Sequence, residues 1–272
     1  MLVYPNAKIN IGLNVVEKRA DNYHNIETVF YPIGLCDALE VAVSDSCTDY
    51  SFSSSGLLID GDPEDNLIVK AFRLLRSQFQ FPPIDISLCK QIPFGAGLGG
   101  GSSDASFMLK VLNEMFELKL TTNKLEKIAA QLGADCPVFI KNKPVFATGI
   151  GNVFSPVKIS LKGYYLLLIK PDIFVSTPDA YSLVVPKQPE FSLLELIKQP
   201  IGDWKNNIVN DFEESVFAKY PAIGDVKNQL YQMGALYASM SGSGSSVFGI
   251  FESEPTSNDF FDNCFVTGGF LS

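Results

Sequence analysis

The chain has 272 residues, with 21 Lys and Arg against 30 Asp and Glu, a net charge of −9. That length suits one large domain or two small ones, and a hydrophobic share of 46% supplies a real core and excludes a disordered chain. The acidic balance argues against nucleic acid as a partner, which needs clustered Lys and Arg, whereas a small anion needs only a local positive pocket.

Ala7 to Val16 alternates, with Ile9, Ile11, Leu13 and Val15 on one face, and reads as a strand. Ile26 to Leu35 and Leu39 to Val43 read as two more. Residues 44–65, rich in Ser, Asp and Gly, read as a hairpin-bearing connection. Asn66 is placed to cap a helix with Ile68, Ala71, Phe72 and Leu75 on its apolar face. Ile84, Ile86 and Leu88 form the next strand. The run Pro93-Phe-Gly-Ala-Gly-Leu-Gly-Gly-Gly-Ser-Ser103 then opens a helix that buries Ala105, Met108, Leu109, Leu112 and Phe116. Asn123, with Glu126 three residues on, is read as the cap of another helix that stops at Gly133. The chain restarts at Ala134-Asp135-Cys136-Pro137.

Gly149 to Pro156 reads as a crossing, which divides the chain into an N-terminal domain of residues 1–155 and a C-terminal domain of residues 156–272. Tyr164 to Ile169 reads as a buried strand and residues 171–189 as a Pro-punctuated loop with one short helical piece. Helices are expected around 192–199, 203–218 and 222–233. Tyr237 to Met240 and Val247 to Phe251 form a strand pair around Ser241-Gly-Ser-Gly-Ser-Ser246. The class is α+β, strand-rich first and more helical later.

The single histidine, His24, cannot build a multi-histidine metal centre. Cys36, Cys47, Cys89, Cys136 and Cys264 are scattered and never spaced as Cys-x-x-Cys, which points to a reducing, cytoplasmic setting. No apolar run is long enough to span a membrane, and the N-terminus has no signal-peptide pattern.

Five glycines occupy the seven positions from Gly95 to Gly101, immediately before an amphipathic helix. Bare backbone at a helix N-terminus offers unpaired N–H donors and a partial positive charge. With the hydroxyls of Ser102 and Ser103 it suits a polyphosphate without any basic residue. No Gly-Lys-Ser/Thr is present, so it is not a Walker loop. Nor does a strand-helix-strand unit with a distant acid support a dinucleotide fingerprint. A flexible loop packed on a neighbour is the bland alternative.

These residues closely resemble the signature of the GHMP small-molecule kinases. The resemblance runs over nearly the whole chain through Pro5-Asn-Ala-Lys-Ile-Asn10, the glycine loop and Met240-Ser-Gly-Ser-Gly-Ser-Ser246, in that order. It implies a ribosomal-protein-S5-like N-terminal domain, an α/β-plait C-terminal domain and an ATP-dependent phosphotransferase with an alcohol acceptor. Arg19-Ala-Asp-Asn-Tyr-His24, Asp65-Asn-Leu-Ile68, Leu132-Gly-Ala-Asp-Cys-Pro137 and Asn210-Asp-Phe-Glu213 resemble the branch that acts on the 2-hydroxyl of a cytidine diphosphate-linked methylerythritol in the non-mevalonate isoprenoid route. Asn22 departs from the glycine usual before Tyr-His. Asp104 departs from the asparagine or similar residue usual after the serines, at a helix start where a carboxylate is favourable.

The resemblance assigns Lys8 and Asp135 to catalysis. Asp135 would orient the acceptor hydroxyl and take its proton late; its alternative role is a helix cap before Pro137. Lys8 would hold Asp135 ionised and neutralise the moving phosphoryl group; its alternative is a solvent-facing edge lysine. ATP would be bound by Pro93, Phe94, Gly95, Ala96, Gly97, Leu98, Gly99, Gly100, Gly101, Ser102 and Ser103, and by Asn66. The substrate would meet Asn10, Tyr23, His24, Tyr181, Gly242, Ser243 and Gly244, with Tyr23 and Tyr181 suited to stack on a base and His24 to bond its polar edge. Mg²⁺ is expected with ATP, with no protein ligand assigned, in a monomer or weak homodimer. Another GHMP kinase, of homoserine or mevalonate type, and a non-catalytic nucleotide-binding module are the competing readings.

Overall fold

The computed structural model describes residues 1–46, 48–59, 61–256 and 261–272, and Cys47 lies outside them. In chain order the strands are β1 (Leu2–Val3), β2 (Asn6–Lys18), β3 (His24–Cys36), β4 (Ala38–Val43), β5 (Tyr50–Gly56), β6 (Ile84–Lys90), β7 (Val145–Thr148), β8 (Val153–Pro156), β9 (Tyr165–Pro171), β10 (Tyr237–Met240), β11 (Val247–Phe251) and β12 (Cys264–Phe270). The helices are α1 (Leu67–Arg76), α2 (Gly100–Met115), α3 (Thr122–Ala129), α4 (Cys136–Lys141), α5 (Thr177–Tyr181), α6 (Leu193–Leu196), α7 (Phe212–Lys219) and α8 (Pro221–Gln232). The mixed content is α+β.

Two compact units emerge. The first comprises Met1–Ala7, Leu35–Phe94 and Gly99–Lys143; the second comprises Lys8–Gly34, Gly95–Leu98 and Pro144–Ser272. In the first, a sheet of order β1-β4-β6-β5 carries α1 and α2 on its apolar face. Ile68, Phe72 and Leu75 meet Met108, Leu109 and Leu112 over Val41, Ile84 and Ile86. Asn66 caps α1 as expected, its Oδ1 accepting from the Ile68 N–H at 2.9 Å. In the second unit the sheet β10-β11-β9-β12 packs against α7 and α8 through Leu167, Ile169, Val216, Ile223 and Leu230. The remaining sheet has the order β2-β3-β7-β8.

Four local expectations are corrected. The stretch 44–65 carries no hairpin among its described residues: β5 runs parallel to β6. Its serines are satisfied sideways, Ser51 donating to Asp85 and Ser53 meeting the Ser87 hydroxyl, so no apolar alternation marks the strand. The cap of α3 is Thr121, whose side chain accepts from Lys124, not Asn123. The span 203–218 is a short 3-10 turn, Ile201–Asn206, followed by α7, because Asn210 leaves the helical path to bridge Leu13. Asp104 is not at the helix start. Gly99 is the cap of α2, with the left-handed φ of 71° that glycine adopts without strain.

Asp104 is instead buried inside the first unit. The Lys90 ammonium lies 2.5 Å from Asp37 and 2.7 Å from Asp104, with all three side chains almost wholly out of water. Asp37 also accepts from the N–H groups of Gln91 and Ile92. The cluster thereby ties the end of β6 to the start of β4 and to α2. Burial, reinforced by the Asp37 charge and opposed by Lys90, pushes the Asp104 carboxyl up to about 7. A carboxyl whose pKa rises on folding favours the native state most at low pH and loses that advantage as pH climbs toward the folded value. The wild type should therefore lose stability relative to Asp104→Asn between about pH 4 and pH 7. Urea unfolding of both proteins across that window checks this, and parallel stability curves would refute it.

Candidate active site

Three separate stretches converge within the second unit. Lys8 and Asn10 sit two apart on β2 and share a face, as strand geometry requires. Lys8 is buried, and its ammonium donates to Asn10 Oδ1 at 2.7 Å and to the Gly97 carbonyl at 2.9 Å. The Phe30 ring lies 5.0 Å from it. This excludes the solvent-facing lysine. Asn10 is held in turn by its Nδ2, which donates to Thr28 at 3.0 Å, and by its backbone N–H, which donates to the Ser241 hydroxyl at 3.2 Å.

Ser241 also donates to the Gly97 carbonyl at 2.9 Å. The lysine and the serine therefore share one acceptor. A Cβ at Gly97 would collide with the Ser241 carbonyl, and its φ of 73° is one that side chains avoid. Gly242 and Gly244 are buried beside this contact and Ser243 is half-buried. Ser246 donates its N–H to the Ala96 carbonyl at 3.3 Å, and Leu98 accepts from the Lys8 N–H at 3.0 Å. Ser241 and Thr28 were absent from the expected site. Ser241 lies within Met240-Ser-Gly-Ser-Gly-Ser-Ser246, but no local pattern indicates that its hydroxyl, rather than the glycines, makes the contact.

His24 and Tyr181 also meet in the second unit. Their rings stack with centroids 4.6 Å apart and planes 22° off parallel. Phe212 stands edge-on to Tyr181, also at 4.6 Å. Desolvation, aided by the Lys18 charge, holds the His24 pKa below the usual imidazole value. The neutral ring then has one donor and one acceptor to offer. Tyr23 is 61% exposed. Asn22, the departure from glycine, adopts φ 65°, a conformation that asparagine tolerates.

The first unit holds Asn66, Pro93, Phe94, Gly99, Gly100, Gly101, Ser102, Ser103 and Asp135. Asn66, Phe94, Lys90, Gly101 and Asp104 line a cavity of about 420 Å³. Ser103, in the first turn of α2, is fully buried and its hydroxyl has no partner. Ser102, one residue earlier, is half-buried and so within reach of an anion at the helix N-terminus. Asp135 is half-buried at the cap position of α4, yet its side chain makes no capping hydrogen bond. The bland capping role thus loses its main support.

Among the described residues no group of three or more His, Cys, Asp or Glu can hold a metal ion. Among the same residues no helix is long and apolar enough to cross a membrane. Cys36, Cys89, Cys136 and Cys264 carry no disulfide.

The sequence matches the GHMP kinases N terminal domain over residues 66–143 and the GHMP kinases C terminal domain over 193–264. It is 62% identical over 255 residues, 93% of each chain, to a 4-diphosphocytidyl-2-C-methyl-D-erythritol kinase of Bacteroides fragilis. It is 56% identical to that of Bacteroides thetaiotaomicron, over 100% of both chains. A crystal structure of 4-(cytidine 5'-diphospho)-2C-methyl-D-erythritol kinase aligns with a TM-score of 0.83 at 28% identity, covering 98% of each chain. Homoserine kinase from Cytophaga hutchinsonii aligns at 0.65 and 19% identity over 98% of this chain and 94% of its own, a likeness of fold alone.

Proposed function

The chain belongs to the GHMP kinases, and from that premise we propose that it transfers the γ-phosphoryl group of ATP to the 2-hydroxyl of 4-diphosphocytidyl-2-C-methyl-D-erythritol, in the non-mevalonate isoprenoid pathway. The observation that carries the reading is 56% identity, over the whole of both chains, to a relative named for that substrate. The stacked His24 and Tyr181 supply a chemical reason: a pyrimidine base needs an aromatic face and a donor–acceptor edge. Homoserine and mevalonate need neither, which disfavours the other GHMP readings.

Asp135 orients the acceptor hydroxyl and takes its proton as the phosphorus–oxygen bond forms, since a carboxylate is too weak a base to ionise an alcohol beforehand. The Lys8 ammonium offsets charge on the transferring group, held on target by Asn10 and the Gly97 carbonyl. Backbone N–H groups and hydroxyls from Gly95 to Ser103 receive the polyphosphate, which explains how an acidic chain binds anions. The cavity beside Asn66 is of a size to take the nucleoside end of ATP. Mg²⁺ would arrive on ATP and spread its phosphate charge. A cytoplasmic setting belongs to this reading, supported by scattered cysteines that never fall in Cys-x-x-Cys spacing.

Purified protein with Mg·ATP should release ADP only when the cytidine substrate is added. His24→Ala and Tyr181→Ala should each raise the KM for that substrate about 10-fold, as expected for loss of a base contact of ~1–3 kcal/mol, and leave the KM for ATP unchanged. ADP release with homoserine or mevalonate instead would refute the assignment, and no ADP release with any acceptor would favour a non-catalytic module.

A further inference from the structure

Asn210-Asp-Phe-Glu213 carries no part of the chemistry above, yet every one of its side chains holds a piece of the site in place. Asp211 accepts from the Val15 N–H at 2.7 Å and donates its own N–H to Leu13 at 2.8 Å, which anchors the segment to β2, the strand of Lys8 and Asn10. Phe212 stands against Tyr181. Glu213 accepts from the Met240 N–H at 2.8 Å and from the Ser239 hydroxyl at 3.2 Å, while Lys227 at 2.6 Å balances its charge.

Asn210 is the most constrained of the four. It is 2% exposed. Its Nδ2 donates to the carbonyls of Met240 and Gly242, each at 2.8 Å, and its Oδ1 accepts from the Phe212 N–H at 3.0 Å. Only a neutral amide supplies two protons and an acceptor from one short side chain. Aspartate would set a carboxylate against two carbonyl oxygens, and serine has a single proton to give.

The two carbonyls flank Ser241. We propose that Asn210 is a positioning residue for phosphoryl transfer: by clamping Met240 and Gly242 it fixes the Ser241 hydroxyl on the Gly97 carbonyl, the same oxygen that holds the Lys8 ammonium. The relay runs from Asn210 through the turn to Ser241, from Ser241 to Gly97, and from Gly97 to Lys8. If the clamp loosens, Ser241 drifts, the Gly97 carbonyl loses one of its two donors, and the ammonium shifts from its line. Positional errors of about 1 Å at a reacting centre cost on the order of 100-fold in rate.

The inference rests on the reading that Lys8 serves the transfer. A double-mutant cycle tests it, with kcat measured at saturating ATP and cytidine substrate for Asn210→Ala, Ser241→Ala and the pair. Circular dichroism and Tm establish the folded fraction of each. Each single variant should lower kcat about 10- to 100-fold, with the KM for ATP within about 3-fold of wild type. The pair should be no more than about 3-fold worse than the weaker single, because both cut one relay. Losses that multiply would mean that Asn210 and Ser241 act independently, and would overturn the proposal. A purely structural Asn210 would lower Tm and multiply with Ser241→Ala. If Asn210→Ala does not fold, Ser241→Ala alone decides: kcat within about 2-fold of wild type overturns the relay. Lys8→Ala that retains full turnover would overturn the underlying reading and the relay together, whereas an inactive Lys8→Ala with a multiplicative cycle overturns the relay alone.

Discussion

Asp135→Asn should lower kcat by about 100- to 10,000-fold, the span expected when a positioned proton acceptor is removed. The amide keeps the shape and can still orient a hydroxyl, but it cannot take a proton at neutral pH. The substitution is informative because asparagine keeps the size and shape of aspartate and is as good a helix cap, while Asp135 makes no capping hydrogen bond to α4 that the change could break. Pro137 in the first turn supports the helix start in both proteins. Tm should therefore stay near wild type, and ATP affinity measured by calorimetry should persist. Turnover comparable to wild type would remove Asp135 from its role. A fall in Tm matching the fall in rate would make it structural.

Gly97→Ala should be nearly as damaging by a different route. One methyl group meets two obstacles. The backbone φ of 73° costs a non-glycine residue about 1–2 kcal/mol, and the new Cβ would overlap the Ser241 carbonyl. That oxygen belongs to backbone and cannot rotate aside, so the loop or the turn has to move. Either motion displaces the Gly97 carbonyl that Lys8 and Ser241 both use. We expect kcat/KM to fall at least about 100-fold, with the KM for ATP raised because the loop itself shifts. Gly202→Ala is the matched control: nothing lies within 4 Å of its Cβ position, so steady-state kinetics should not change. Wild-type kinetics for Gly97→Ala would show that the loop and turn do not need their close contact.

Elements with a strong repeat were legible. The alternation of Ile9, Ile11, Leu13 and Val15, the Asn66 cap and the spacing of Met108, Leu109 and Leu112 each expressed a local rule that the fold obeys. The failures have local causes as well. In β5 the serines bond laterally to Asp85 and Ser87, so the strand shows no hydrophobic period. Thr121 and Asn123 are both sound caps, and nothing nearby decides between them. Asp104 looked like a helix-start carboxylate because its neighbours in sequence are the loop serines. Its partner Lys90 is 14 positions away, and Asp37, which shares the Lys90 ammonium, lies 53 positions from Lys90.

The sequence by itself determined the kind of protein through its resemblance to the GHMP kinases, carried by motifs in a fixed order: a glycine loop feeding a helix N-terminus, Lys8 and Asn10 on one strand, Asp135 before Pro137, and Tyr23-His24. Each of these is a statement about neighbours along the chain. Only the tertiary structure decided that the Lys8 ammonium rests on Gly97, 89 positions away, and that Ser241 reaches Asn10 across 231. It alone set Tyr181 on His24 and gave Asn210 its hold on the Met240 and Gly242 carbonyls. Periodicity reports which face of an element is apolar. It carries no information on which polar groups from distant elements will be buried together, and that pairing is set by how the sheets and helices pack.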